Sequence, residues 1–472
     1  MEKKILDTVK TAVKELYNIE AAEKQLLLQK TLPDYEGDVT VIVFPFAKAA
    51  KKSPVEIGEE LGKYLNENMD EIADFNVIKG FLNLVIRNEV WVGLLSENFD
   101  NKNFGIRENN EQNPIVVEFS SPNTNKPLHL GHVRNNLLGE SVSRVLKAAG
   151  RNVKKVNLVN DRGIHICKSM LAWQKWGEGE TPESSGLKGD QLVGKYYVLF
   201  DKHLKEEKEK LRRQDVADDK LDEASELMRQ AREMLRKWEN RDEEVLELWR
   251  KMNNWVYQGF DKTYERMGIS FDKVYYESET YLIGKQMVLE ALKRNQLEKA
   301  DDDSVWIDLN EFNLDKKLLL RKDGTSVYMT QDLGTARLRH GDFDPSGMLY
   351  VVGNEQDYHF SVLKLVLKKM NFEWAEKIEH VSYGMVELPD GKMKSREGTV
   401  VDADDLMDEM YHTAKTMTEE LGKIEGLTSA EAEHLVHIIS MGALKYFILK
   451  VDPKKNMLFN PENSINFTGN TG

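Results

Sequence analysis

The apolar positions along the chain fall into alternating short runs and helical stripes. Near the start, Ile5, Leu6, Val9, Val13 and Leu16 recur at three- and four-residue steps, which predicts an amphipathic helix. TVIVFPF (40–46) reads as a strand, and DFNVIKGFLNLVIR (74–87) as one or two more. Between them Ser53, Pro54 and Glu56 form a helix-start signal, with the helix running to about Asn66. The Asn-rich segment 97–114 reads as a linker. IVVEF (115–119) is a compact β-prone run, as expected of a parallel strand buried on both faces. A polar turn, SSPNTN, leads from it into KPLHLGHVRNNLLG, where Pro127 suits a first helical turn. The helix continues over 133–149, and RNVKKVNLVNDRG (151–163) supplies the next strand, ending in Asn160, Asp161, Arg162 and Gly163. Strand, helix and strand in this order make a crossover unit, whose ligands bind beyond the carboxyl ends of the strands.

Further on, Val245, Leu248, Met252, Trp255 and Gly259 mark a helical hairpin within the charged stretch 200–266. Strands return at 273–278, 304–309, 316–321, 348–353 and 379–388, with a helix near Tyr328 that puts Tyr328 and Asp332 on one face. From Asp402 the pattern is helical. The fold class expected is α/β: a Rossmann-type parallel-sheet catalytic domain with a helical insertion, a small N-terminal α+β domain and a C-terminal helical segment. The boundaries expected are 1–112, 113–401 with the insertion at about 185–315, and 402–472. An apolar helix pair followed by an unpaired polar tail suggests a further domain cut off at the end.

Composition narrows the classes. A length of 472 residues implies about two to four domains. No apolar run reaches the length of a membrane span, and MEKKILDTVK lacks a signal-peptide core. The single cysteine, Cys167, excludes an internal disulfide and a Cys-rich zinc site, so a cytoplasmic protein without zinc is expected. A net charge of −14 argues against indiscriminate polyanion binding yet leaves local basic patches available to RNA. Lys48, Lys51 and Lys52 are one such run, though a solvated basic face is the simpler explanation for them.

The chemistry concentrates at His129, Gly131 and His132. Two imidazoles three apart at a helix N-terminus, beside its unpaired N–H groups, suit a phosphate, and a glycine between them lets a base or phosphate approach the backbone. Donors placed there stabilise charge as pyrophosphate leaves. Taken alone the pattern also describes an ordinary capped helix with incidental histidines. GDQLVGKY (189–196) half-matches a P-loop but lacks the following Ser or Thr and a preceding strand. PDGKMKSREGTVV (389–401) carries Lys392, Lys394 and Arg396 on a Gly-flanked loop able to close over a triphosphate.

Six motifs in this order, EFSSPN, KPLHLGH, NDRG, YMTQDLGTA, YVVGNEQDYH and KMKSREGTVV, resemble the arginyl-tRNA synthetase family of class I aminoacyl-tRNA synthetases. They span about 115–401. The resemblance implies a two-step reaction: arginine attacks the α-phosphorus of ATP, and the 2′-OH of the terminal tRNA adenosine then takes the arginyl group. It places arginine on Glu118, Ser121, Asn123, His132, Tyr328, Asp332 and Gln356, with Asp332 and Glu118 on the guanidinium or amino group and Tyr328 along the aliphatic stem. A guanidinium does want a planar carboxylate partner. ATP falls to Lys126, His129, Gly131, His132 and Lys392; catalysis to His129, His132, Lys126, Lys392, Lys394 and Ser395. Ser395 occupies the place of the signature loop's usual second lysine, and Lys126 stands where the family is thought to compensate. Mg²⁺ is expected to be held mainly by ATP, the partners to be tRNA(Arg), arginine and ATP without a membrane, and the chain to be a monomer. In the family, arginine activation needs bound tRNA. The competing readings are another class I synthetase, against which the two carboxylates speak, and an RNA-binding module without activity.

Overall fold

The computed structural model describes residues 1–387 and 401–459. The chain divides into two compact units, Met1–Gly105 and Ile106–Gly472. The first contains α1 (Glu2–Tyr17), β1 (Leu28–Lys30), β2 (Val39–Ile42), α2 (Phe44–Ala50), α3 (Pro54–Asn68), β3 (Ile72–Ile78), β4 (Phe81–Ile86) and α4 (Asn88–Asn98). Its strands form an antiparallel sheet in the order β1-β2-β4-β3. Ile5, Val9 and Val13 of α1 and Ile57, Leu61 and Leu65 of α3 are buried with Leu82 and Leu84 of β4 in one core. The predicted strand 40–46 stops at Ile42 because Pro45, which has no N–H for a ladder, enters the first turn of α2 instead. Ser53 and Glu56 cap α3 reciprocally: Ser53 Oγ accepts from Glu56 N at 3.2 Å, and Glu56 Oε2 accepts from Ser53 N at 2.9 Å.

The second unit begins with β5 (Ile115–Glu118), α5 (Leu130–Ala148), β6 (Val153–Val159) and α6 (Ile164–Trp176). Helices α7 (Pro182–Ser185), α8 (Gly189–Arg212), α9 (Leu221–Ala224), α10 (Glu226–Glu239) and α11 (Glu243–Met267) follow, then β7 (Lys273–Tyr276) and α12 (Glu277–Lys293). Next come β8 (Glu298–Lys299), β9 (Val305–Ile307), β10 (Lys317–Leu320), α13 (Tyr328–Phe343), β11 (Gly347–Gly353), α14 (Asp357–Lys369) and β12 (Ile378–Tyr383). The described part closes with β13 (Val386–Glu387), α15 (Ala403–Glu420), α16 (Ser429–Leu449) and β14 (Met457–Leu458).

Five strands build a parallel sheet in the order β12-β11-β5-β6-β7. The chain starts in the middle, runs outward through β6 and β7, then returns to add β11 and β12 on the other side of β5. The switch point therefore lies between β5 and β11, where an α/β sheet opens a crevice at its carboxyl edge. Helices α6 to α11 are the long connection from β6 to β7, and the apolar stripes of α6, α8, α10 and α11 share one core with β5 and α5. The stretch 185–315 thus contributes a strand to the central sheet, β7, beside its helices and two strands, β8 and β9, of a small antiparallel sheet that β10 completes. The half-match to a P-loop lies in the first turns of α8, with no phosphate-loop geometry.

Close helix packing sets α13 in place. A Cβ on Gly284 of α12 would stand 1.8 Å from the Thr330 carbonyl oxygen of α13, and one on Gly334 would stand 2.6 Å from Gly284 N. Gly284→Ala is therefore expected to push α13 outward and to cost about 1–3 kcal/mol. Urea unfolding would measure the loss.

Candidate active site

The turn after β5 is held in a costly conformation by its neighbours. Ser120 and Ser121 have φ of 82° and 46°, the left-handed region that residues with a Cβ avoid. Asn135 Oδ1 accepts from Ser120 N at 2.5 Å, and Asn157 Oδ1 from Ser121 N at 3.0 Å. Tyr264 hydrogen-bonds both Ser120 Oγ at 2.7 Å and Asn157 Nδ2 at 3.2 Å. Asn123 and Asn160 add an isolated parallel bridge, so the ends of β5 and β6 are clamped together. Asp161, buried behind them, accepts from Ser278 N at 2.9 Å, Ser278 Oγ at 2.7 Å and Tyr257 OH at 3.0 Å.

Helix α5 begins at Leu130 rather than at the predicted Pro127, because His129 itself is the N-cap. Its Nδ1 accepts from Gly131 N at 3.1 Å, and His132 Nδ1 accepts from His129 N at 3.2 Å. The two imidazoles replace the Ser/Thr and Glu of an ordinary capping box. With both Nδ1 atoms accepting, each neutral ring carries its proton on Nε2, and two Nε2–H donors remain for a ligand. Burial, with Lys126 nearby, pushes His129 down to about 3; burial, His129 and Lys126 push His132 well below the ordinary histidine value. The ring centroids are 3.9 Å apart. Leu130 N donates to Val401 O at 3.0 Å and Ala403 N to Leu128 O at 2.9 Å, so the backbone before α15 is zipped to the cap.

Lys126, His129, Gly131, His132 and Ser121 line a cavity of about 520 Å³ at the ends of β5, β11 and β12. Asn354, Glu355, Tyr383, Glu387 and Asn456 also face it. Tyr383, Glu387 and Asn456 of this second rim were not singled out along the sequence. Arg134, fully buried in α5, holds it by donating to the carbonyls of Pro453 at 3.3 Å and Lys455 at 2.9 Å. A larger cavity, about 820 Å³, is lined by Asn123, Tyr328, Gln331, Arg162, Glu277 and Lys285 among others. There the Arg162 guanidinium lies 4.1 Å from the Tyr281 ring centroid and 3.7 Å from Glu277, whose carboxyl is pushed up to about 7 by burial.

The two carboxylates have different surroundings. Glu118 is buried and ion-paired with Arg339, itself only 1% exposed, while Ser121 Oγ donates to its other oxygen at 3.1 Å. Asp332 is half-buried and takes a 2.6 Å hydrogen bond from His359 Nε2. Tyr328 is 78% exposed, with its ring open to solvent. Gln356 sits in an exposed turn and lines neither cavity, although its neighbours Asn354 and Glu355 do. Lys392, Lys394 and Ser395 lie outside the described residues. Arg339 and His359 were missed as partners; the only sequence signals were an arginine on the helix of Asp332 and a histidine closing YVVGNEQDYH.

A parallel sheet with this switch point, capped by the HxGH histidines at the crevice, defines the catalytic core of a class I aminoacyl-tRNA synthetase. Residues 95–460 match the family of class I (R) tRNA synthetase catalytic domains, and residues 3–86 the arginyl-tRNA synthetase N-terminal domain. The arginine–tRNA ligase of Bacteroides thetaiotaomicron is 58% identical over the whole chain, which covers 79% of that relative. That of Porphyromonas gingivalis is 56% identical over 99% of the chain and 79% of its own length. Among solved structures, Thermus thermophilus arginyl-tRNA synthetase superposes with a TM-score of 0.69 at 22% identity, over 99% of this chain and 79% of that one. The Plasmodium falciparum enzyme gives 0.64 at 20% identity, over 100% and 78%. The chain belongs to the arginyl-tRNA synthetase family.

Proposed function

We propose that the two cavities divide the work of an arginine–tRNA ligase. The chain activates L-arginine with ATP and transfers the arginyl group to the 3′ end of tRNA(Arg), releasing pyrophosphate and AMP. The observation that carries the division is the pair of Nε2–H donors of His129 and His132 at the α5 N-terminus, in the smaller cavity. These donors and Lys126 hold the ATP phosphates, with Gly131 against the adenosine. Being neutral before ATP arrives, the imidazoles are fixed dipoles, aimed at the charge that grows as the bond from the α-phosphorus to pyrophosphate breaks. The arginine carboxylate oxygen forms the new bond on the opposite side of that phosphorus. No side chain acts as nucleophile; catalysis is positioning and charge stabilisation.

Asp332 and Glu118 meet the cationic ends of arginine, Tyr328 folds over the aliphatic stem, and Ser121, Asn123, His132 and Gln356 hold its polar ends. The family resemblance also assigns Lys392, Lys394 and Ser395 of the signature loop to this reaction. Mg²⁺, held mainly by ATP, would supply neutralisation of phosphate charge. Among the described residues no group of three His, Cys, Asp or Glu is placed to hold a metal. Residues 1–112 touch the tRNA, 113–401 perform the chemistry, and the helices from 402 onward lead towards its anticodon arm. No helix among the described residues is long and apolar enough to cross a membrane. From the single cysteine and the family resemblance we read the protein as a cytoplasmic monomer.

Arginine-dependent exchange of pyrophosphate into ATP, run with and without tRNA(Arg), tests the reading. Exchange is expected with arginine alone among the amino acids, and only with tRNA present. Exchange with glutamate or glutamine instead would overturn it.

A further inference from the structure

In the structure, Asp332 already has a partner. Its Oδ2 lies 2.6 Å from His359 Nε2, and the two side chains are 31% and 24% exposed. An ionised carboxylate only accepts, so the proton in this bond sits on Nε2. His359 stands in the first turn of α14, on a different element from Asp332 in α13. Its ring is edge-on to Phe360 at 5.7 Å, and Phe360 packs against Tyr350 at 5.0 Å and His380 at 4.5 Å. The histidine is thus mounted on a packed aromatic group, while the Asp332 carboxylate on α13 keeps part of its surface open to solvent.

We propose that His359 is a positioning residue for amino-acid selection: it fixes the plane of the Asp332 carboxylate so that the remaining lone pairs receive the N–H groups of a guanidinium. The inference rests on the assignment of Asp332 to the guanidinium. A hydrogen bond from the imidazole uses one lone pair of Oδ2 and leaves three acceptor sites on the two oxygens. A guanidinium binds through two parallel N–H groups, so its affinity depends on the orientation of that plane, whereas ATP does not sense it. The histidine therefore acts on the arginine KM through Asp332 without touching the reacting atoms.

Aminoacylation kinetics of the whole chain, with tRNA(Arg) saturating, separate this from a structural role. His359→Ala is expected to raise the KM for arginine about 10- to 100-fold, the worth of one charge-assisted hydrogen bond. The KM for ATP and kcat at saturating arginine should stay within about twofold, inside the spread left by a lost structural contact. His359→Gln, whose amide nitrogen reaches to where Nε2 stands, should restore most of the arginine affinity. A lower arginine KM in His359→Ala would overturn the proposal, because the histidine would then be a competitor for Asp332. So would an equal loss in the ATP and arginine KM values, or no rescue by glutamine. Asp332→Asn serves as the control: if it leaves the arginine KM unchanged, the assignment beneath the proposal fails; if it raises that KM while His359→Ala does not, the proposal alone fails.

Discussion

Asp332→Asn is expected to raise the KM for arginine by about two to three orders of magnitude, as removing one side of a desolvated charge pair costs about 2–5 kcal/mol. Asparagine keeps the shape of the side chain and can still accept from His359, so the helix pair α13 and α14 should stay in register. The loss would then lie in arginine binding, with the KM for ATP close to the parent value. The same experiment on Glu118 has a different meaning. Glu118 and Arg339 are both buried and paired, and Arg339 also lies under the rings of Tyr275 and Tyr350, 5.4 and 5.1 Å from their centroids. Glu118→Gln leaves a buried guanidinium without its countercharge, which is expected to cost about 3–5 kcal/mol of folding stability. A Glu118 variant that loses activity is therefore informative only beside its unfolding curve, whereas an Asp332 variant reads the site directly.

The contrast explains what could be read along the chain. The strand, turn and helix of 115–148 were legible because every signal lies within one supersecondary unit: β-prone residues, a turn, then a helical stripe. The start of α5 was misplaced at Pro127 because the helix uses His129 as its cap, a residue outside the usual Ser, Thr, Asp and Asn set. Likewise the run 40–46 looked uniform in hydrophobicity, and only Pro45 decided that its second half is helical. What could not be read is what the topology brings together from distant segments. Arg339 reaches Glu118 because β11 inserts beside β5, and Asn456 reaches the smaller cavity because Arg134 holds the backbone of 453–455. Pairings between segments so far apart leave no periodicity and no spacing. The strained pair Ser120 and Ser121 belongs to the same class: SSPN announces a turn, but its left-handed geometry depends on Asn135, Asn157 and Tyr264 from three other elements.

His132→Ala should lower kcat for pyrophosphate exchange by about 10²- to 10³-fold, the usual effect of removing one preorganised donor from developing charge. The neutral state of the ring makes the expectation sharper. His132 is half-buried with the charge of Lys126 and the ring of His129 close by, and its Nδ1 is engaged by His129 N. A folded-state value depressed this far keeps the ring uncharged across the physiological range, so the donor is already present at neutral pH and is not gained by protonation. The profile of kcat/KM for ATP, which reports groups of the free enzyme, should then show no step in the ordinary histidine range that disappears in the variant. A protonated, phosphate-pairing histidine would predict the reverse: a fall in kcat/KM as pH rises through its value, removed by His132→Ala. Loss of the imidazole also leaves His129 N without its acceptor, so part of the effect passes through the cap. His132→Asn distinguishes the two contributions. Its short amide can accept from His129 N in place of Nδ1 but cannot extend a donor to where Nε2–H stands. Stability should therefore recover while kcat does not.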